Sequence, residues 1–368
     1  MASEPAREQE LASLDSVHHE TARQTRVSLF QRLSTWRVGL MGLAGLALLA
    51  LIPTIYDQIF GFSSGFELHN SVTMIAILAL AALAQNVLTG TAAQPSLGNA
   101  AFFGVSAYIL TWLVSDLNQP YWVGILAAVL VSAILGVIVG GPALRISGAY
   151  LAIATLGLVT IAGALLNLWD TAAGRQNYDL NNIPDFLTDD HALYYFVAAI
   201  LVIVIFLVYH LLRARVGRAW IALRDDETAA EAFGINLTKY KVQAFVISAA
   251  LTGLAGALWA TWATTASSSM SSLDQTIAFL TMIIVGGLGS ISGSILGAIF
   301  VGFLPILLGQ LPSPLTVGSV QLQMSTLTTG IYGLLLLLAL IFFPSGLSSL
   351  GNLGGTLLKR ASQRGGAQ

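Results

Sequence analysis

The chain has 368 residues, of which 55% are hydrophobic and only 9% charged, against roughly 25% charged in an ordinary soluble protein. Its 16 basic and 18 acidic side chains cannot supply the polar shell of a soluble enzyme, and a net charge of −2 gives no field for nucleic acid, so an integral membrane protein remains. With no cysteine there are no disulfides, thiolate chemistry or Cys-ligated zinc, and the five histidines form no metal-binding pair on one helical face.

In chain order, residues 1–37 form a polar tail with Arg7, Arg23, Arg26, Arg32 and Arg37, expected to be disordered. A bilayer core of about 30 Å needs roughly 20 apolar residues as helix. The long Leu-, Ala- and Ile-rich runs favour helices over the short alternating strands of a barrel. They predict about ten transmembrane helices, at 38–55, 70–88, 98–114, 121–141, 148–169, 192–212, 242–262, 275–288, 291–309 and 326–343. The eighth is short and runs into Gly286, Gly287, Gly289 and Gly293, so it either crosses or is re-entrant. One transmembrane domain thus covers 38–350, with a short tail at 351–368.

The remaining charges set the orientation. Arg213, Arg215, Arg218, Arg224, Lys239 and Lys241 follow the sixth span, and Lys359, Arg360 and Arg364 follow the tenth. With ten spans these share one side with the N-terminal arginines and Arg145, which places both termini in the cytoplasm. The opposite loops carry Asp57, Glu67, Asp116, Asp170, Asp179, Asp185, Asp189, Asp190 and Asp274, with Arg175 as their only base. Ten spans also divide into five and five. An odd half inserts upside down relative to the other, the parity of an inverted repeat with a substrate path at its axis.

Two motifs carry no chemistry. Gly61-Phe62-Ser63-Ser64-Gly65 matches a nucleophile elbow but has no strand–turn–helix around it. Gly287-Leu288-Gly289 begins a dinucleotide fingerprint but has Ser292 where the third glycine belongs. None of the three lysines follows a glycine, so there is no P-loop. If ATP drives this protein, another subunit binds it.

Residues 213–241 are the one polar island between spans. Asp225 is a candidate N-cap and Gly234 a candidate helix stop, giving a helix of about two turns with Ala229 and Phe233 stacked. Such a helix either docks in a groove of a partner or is an ordinary surface helix. Within the spans, Gln85, Asn86, Gln94 and Asn99 cluster around Pro95; they line a path or tie helices together. Gly286, Gly287 and Gly289 permit a kink or close packing. Gly136/Gly140 and Gly293/Gly297 have the small-xxx-small spacing of helix contacts.

The polar island, continued into Leu237-Thr238-Lys239-Tyr240-Lys241-Val242-Gln243, resembles the coupling segment of permeases from branched-chain amino-acid ABC importers, the larger of that family's two paired permeases. Four other stretches agree in order: Ser96-Leu97-Gly98-Asn99-Ala100-Ala101-Phe102-Phe103-Gly104, Gly148-Ala149-Tyr150-Leu151-Ala152-Ile153-Ala154-Thr155-Leu156-Gly157, Gly286-Gly287-Leu288-Gly289-Ser290-Ile291-Ser292-Gly293 and Phe343-Pro344-Ser345-Gly346-Leu347. The resemblance implies an all-α ten-helix fold with a cytoplasmic coupling helix between helices six and seven, in a prokaryotic plasma membrane. It implies a second related permease, two cytoplasmic ATPase subunits that hold the ATP, and an external substrate-binding protein. It assigns coupling to Arg224, Asp225, Asp226, Glu227, Ala230, Glu231, Phe233 and Gly234, and makes Gln85, Asn86, Gln94, Asn99, Gly286, Gly287 and Gly289 candidates for the path. Asn99 stands where the family has His, Thr171-Ala172-Ala173-Gly174-Arg175 where it has a TGG-type stretch, and Phe343 and Ser345 replace an Arg and a Glu. A urea or short-amide permease, or a self-sufficient secondary transporter, are the alternatives; the latter usually needs an intramembrane ionisable group, and none lies inside the predicted limits apart from terminal positions such as His210.

Overall fold

When most side chains are apolar, a helix can bury itself against other helices or face lipid, and the two choices leave different exposure patterns. The computed structural model describes residues 68–143 and 148–309, together with residues 315–317, 320–322 and 333. The predicted spans 38–55 and, apart from residue 333, 326–343, both tails, Arg145, and the Gly61–Gly65 and Phe343–Leu347 motifs lie outside the described residues. The helices are α1 (Leu68–Gln85, prolonged by a π-helical turn Asn86–Thr91), α2 (Asn99–Thr111, prolonged by a π-helical turn Trp112–Asp116), α3 (Tyr121–Ala143), α4 (Ala149–Ala172), α5 (Asp190–Arg213), α6 (Arg215–Asp225), α7 (Glu227–Ala232), α8 (Leu237–Ala263), α9 (Leu273–Gly286) and α10 (Ile291–Gly309). Strand β1 (Tyr178–Asp179) pairs antiparallel with β2 (Thr265–Ala266), and β3 (Leu315–Val317) with β4 (Val320–Leu322).

A helix therefore stands at each predicted span that falls within the described residues. Five are long and apolar enough to cross a membrane: His69–Thr91, Tyr121–Gly141, Ala149–Ala172, Asp190–Arg213 and Leu237–Ala263. The 14 residues of α9 rise only about 21 Å, short of the roughly 30 Å hydrocarbon core. This is the shortness that its sequence shows.

The centre of the packing is α8, which lies against α1, α2 and α3. Its closeness to them rests on two positions without side chains. A Cβ at Gly256 would sit 2.1 Å from the Phe103 carbonyl oxygen of α2, and one at Gly253 would sit 2.4 Å from Ser132 Oγ of α3. The small-xxx-small pairs also mark contacts. Gly136 and Gly140 meet Ala249 and Phe245 of α8, while Gly293 and Gly297 meet the Gly286 and Met282 carbonyls of α9.

Outward faces differ. On α3 the exposed large residues are Trp122, Val123, Leu126, Leu130, Ile134, Val137 and Ile138, and on α5 they include Tyr195, Ile203, Phe206 and Leu207. These are faces suited to lipid. The exposed side of α4 carries Tyr150, Ile153, Ile161, Leu165, Leu168 and Trp169, interleaved with Ala154, Thr160, Ala164, Asn167 and Thr171.

At the end of the bundle where β1 meets β2, a polar clasp joins α2, α4 and the strand pair. Asp170 is 3% exposed and lies in the last turn of α4 rather than in a loop. The helix outruns the predicted limit at residue 169 because this carboxylate has partners: Tyr108 donates to its Oδ2, and Arg175 Nε lies 3.6 Å from its Oδ1. A buried charge is tolerated only when so paired. The Arg175 guanidinium stacks 3.3 Å from the centroid of the Tyr178 ring. Tyr178 in turn donates to Asp116, which ends the π-helical turn of α2.

Two outcomes follow. Gly256→Val should separate α2 from α8 and lower stability by about 1–3 kcal/mol or more, read as a fall in the detergent unfolding temperature. Gly157→Ala, at a position with nothing within 4 Å, should leave it unchanged. Burial, with the hydrogen bond and charge of Asp116, pushes the Tyr178 hydroxyl from 10.0 up to about 12, against the pull of Arg175. Because the folded value is raised, neutral Tyr178 supports the fold below about pH 10, and that support is lost as pH climbs toward 12. Ultraviolet titration should show one fewer late tyrosinate in Tyr178→Phe than in the wild type.

Candidate functional site

The polar island folds as two helices, not one. Asp225 is the last residue of α6, and the N-cap of α7 is Asp226, whose Oδ1 accepts from Thr228 N at 2.8 Å and Ala229 N at 3.0 Å. The amphipathic pattern of α6 explains the difference. Gly217, Ala219, Trp220 and Leu223 form its buried face, and Trp220, fully buried, donates from Nε1 to the Tyr240 carbonyl at 2.9 Å. That bond ties α6 to the start of α8.

The end of α7 is fixed as tightly. Gly234 has φ +81°, and its N–H donates to the Glu231 carbonyl while Ile235 N–H donates to that of Ala230. This is the Schellman arrangement, in which the residue after the helix adopts the left-handed conformation that glycine takes without strain. Asn236 then caps α8 by accepting from Lys239 N at 3.0 Å, and Lys241 of α8 pairs with Glu227 of α7 at 2.7 Å. The chain between the two helices is thus held by backbone bonds and one ion pair. Phe233 projects from this rigid corner 88% exposed.

Asp225, Asp226, Glu227, Glu231, Phe233 and Gly234 all lie on the exposed surface. Ala230 does not; it is buried and anchors α7. Arg224 forms a loose pair with Asp225, its Nε 3.7 Å from Oδ1, and its Nη1 donates to the Gly90 carbonyl of α1's π-helical turn at 3.4 Å.

The candidate path residues are drawn into ties between helices. Asn86 accepts from Gly289 N at 2.8 Å and donates to the Ser290 carbonyl at 2.9 Å and to Ser294 Oγ at 2.7 Å. It thereby joins α1 to the turn between α9 and α10. Asn99 donates to Ser248 Oγ at 3.0 Å and Thr252 Oγ1 at 3.2 Å, and Ser248 donates to the Ala84 carbonyl at 2.8 Å. Those bonds link α2, α8 and α1. Gln85 donates to the Ser96 carbonyl at 2.7 Å. Gln94 is buried with neither amide atom hydrogen-bonded. Gly286 lets α10 approach, since a Cβ there would lie 2.0 Å from the Gly293 carbonyl oxygen. Gly287 has φ +117° and Gly289 φ +77° in the same turn. The structure therefore gathers Asn86, Gly286, Gly287 and Gly289 at one junction, while Gln85 and Asn99 serve separate contacts. Sequence reading missed Ser248, Thr252 and Ser294 as partners of these amides; their one signal is a small hydroxyl inside an apolar run.

Residues 67–342 match the family model described as "Branched-chain amino acid transport system / permease component". The high-affinity branched-chain amino acid transport system permease protein LivM of Salmonella typhimurium is 31% identical over 256 residues, covering 62% of this chain and 60% of that protein. The probable LivM permease of Methanocaldococcus jannaschii is 27% identical over 245 residues, covering 62% and 70%. The LivH permease of Salmonella typhimurium is 22% identical over 260 residues, covering 64% and 83%. The matched part spans about three fifths of the Salmonella LivM protein. No solved structure matches the chain. With five helices able to cross a membrane among the described residues and a family match over most of its length, this multi-pass protein belongs to the permease components of branched-chain amino acid transport systems.

Proposed function

We propose that the chain is the membrane-spanning subunit of an ATP-driven importer of branched-chain amino acids, lining the translocation path and coupling to a separate ATPase. The observation that carries the reading is the rigid, outward-facing α7 corner with Phe233 exposed, within a chain whose family is that of transport permeases. An exposed aromatic held by a fixed backbone is suited to insertion in a partner's groove. In this reading Asp225, Asp226, Glu227 and Glu231 face the ATPase, the α6–α7 end and both termini are cytoplasmic, and the β1–β2 clasp faces the outer side of a prokaryotic plasma membrane, where a binding protein delivers substrate.

The ten-helix count and inverted repeat belong to the same proposal and have support in the packing. Under an exchange of five spans, the pair α3–α8 becomes α10–α1, α2–α3 becomes α9–α10, and α2–α8 becomes α9–α1. All of these pairs are in contact. A second, related permease is supported by α4. An exposed amide such as that of Asn167 is unfavourable against lipid, so this face suits a partner helix or a wetted path.

Three results test this. An ATPase should co-purify with the protein, and the external receptor of the system should bind a branched-chain amino acid in preference to urea or short amides. Phe233→Ala and Gly234→Pro should each uncouple ATP hydrolysis from transport by about tenfold while the protein stays in the membrane; normal transport in both removes α7 as the coupler. The chain has no cysteine, so single cysteines report orientation. Ala229→Cys should react with an impermeant maleimide only from the cytoplasmic side, and Asn182→Cys only from outside.

A further inference from the structure

Arg224, a coupling candidate from the sequence, also has a partner inside the bundle. It sits in the last turn of α6, the helix locked to α8 through Trp220. From there its guanidinium reaches the Gly90 carbonyl at 3.4 Å, and a Cβ built on Gly289 would lie 3.2 Å from its Nη1. It thus lies where two helix C-termini converge, α1 at its π-helical turn and α9 at the glycine turn. Terminal carbonyls lack intrahelical donors and carry partial negative charge, so a guanidinium is the complementary group. The two backbones meet almost in contact: a Cβ at Gly90 would be 2.5 Å from Gly289 N. Asn86 bonds that same Gly289 N–H and ties in Ser290 and Ser294.

We propose that Arg224 is a positioning residue, a strut that carries displacement of the α6–α7 corner to the junction of α1 with the α9–α10 turn. This rests on the importer reading above and adds the route by which a docked ATPase would move the bundle. The route is short and polar: α7 through Asp226 to α6, Arg224 to Gly90 and the Gly289 turn, and Asn86 to α10. A loose hydrogen bond and a half-exposed ion pair with Asp225 can break and re-form in a cycle, which a fully buried pair would resist.

The test uses the importer complex purified with its ATPase and reconstituted in liposomes, comparing wild type, Arg224→Met and Arg224→Lys. Radiolabelled leucine is the cargo probe. Arg224→Met is expected to retain the ATPase and to hydrolyse ATP within twofold of wild type, while leucine moved per ATP falls at least tenfold. Arg224→Lys, whose ammonium can still donate to a carbonyl, should recover at least half. Nitroxides at Ala229→Cys and Leu288→Cys, both exposed positions, should give a narrow distance distribution in the wild type that at least doubles in width with Arg224→Met. Unchanged transport per ATP together with unchanged width overturns the strut. Loss of the ATPase from Arg224→Met with the width unchanged also overturns it, by making Arg224 a docking residue. A wild-type complex that neither holds an ATPase nor moves leucine overturns the importer reading itself.

Discussion

The bundle depends on how closely α8 approaches its neighbours. In a membrane the hydrophobic effect does not press helices together, because lipid tails are as apolar as leucine. Association instead needs close van der Waals contact and hydrogen bonds between helices. Gly253 and Gly256 provide the first by letting the backbones of α2 and α3 come within a side chain's width. Ser248 and Thr252 on the same helix provide the second, through Asn99 and the Ala84 carbonyl. One face of α8 is thus a strip of small residues that both admits and bonds its neighbours. The positions of α1, α2 and α3 follow from it.

The two ends of the bundle are held by different chemistry. At the β1–β2 end the fastening is ionic and aromatic: Tyr108 bonds Asp170, Arg175 lies beside Asp170 and stacks on Tyr178, and Tyr178 bonds Asp116. At the α6–α7 end it is mostly amide and backbone, with Asn86 bridging glycine-rich turns. Separating the Asp170–Arg175 pair is resisted because it would leave the buried Asp170 carboxylate without its charge partner. Amide bonds to backbone exchange more readily for others of the same kind. The clasp is therefore the stiffer end, and the glycine junction the end better suited to rearrangement.

Much of this was legible in the sequence. Hydropathy alone located the helices at the predicted spans, because an apolar run of roughly 20 residues has few alternatives in a bilayer; the polar α6 was not among them. Gly234 as a helix stop and the contact role of Gly136, Gly140, Gly293 and Gly297 were readable because each follows from a local steric rule. The N-cap lies one residue beyond the position the sequence suggests, since Asp225 and Asp226 both fit the rule and only the burial of Trp220 and Leu223 on α6 decides between them. Asp170 was assigned to a loop because charge is the usual sign that a span has ended. Its partner Tyr108 is 62 residues away and its partner Arg175 lies just past the helix end, and no periodicity reveals the first. The amides Asn86 and Asn99 were recognised as special, but which helix each addresses is a tertiary fact.

The π-helical turns at Asn86–Thr91 and Trp112–Asp116 bear on how the chain tolerates change in length. An α-helix advances its side chains by about 100° per residue, and a π-turn breaks that phase by accommodating an extra residue. Both turns deliver a polar group, Asn86 or Asp116, to a partner beyond its own helix. Both turns end their helices, so removing one residue from either would shift the angle at which the helix ends and turn the connection that leaves it toward a different face. A single-residue deletion there is thus equivalent to a rotation, whereas the same deletion in an exposed connection would be absorbed as slack.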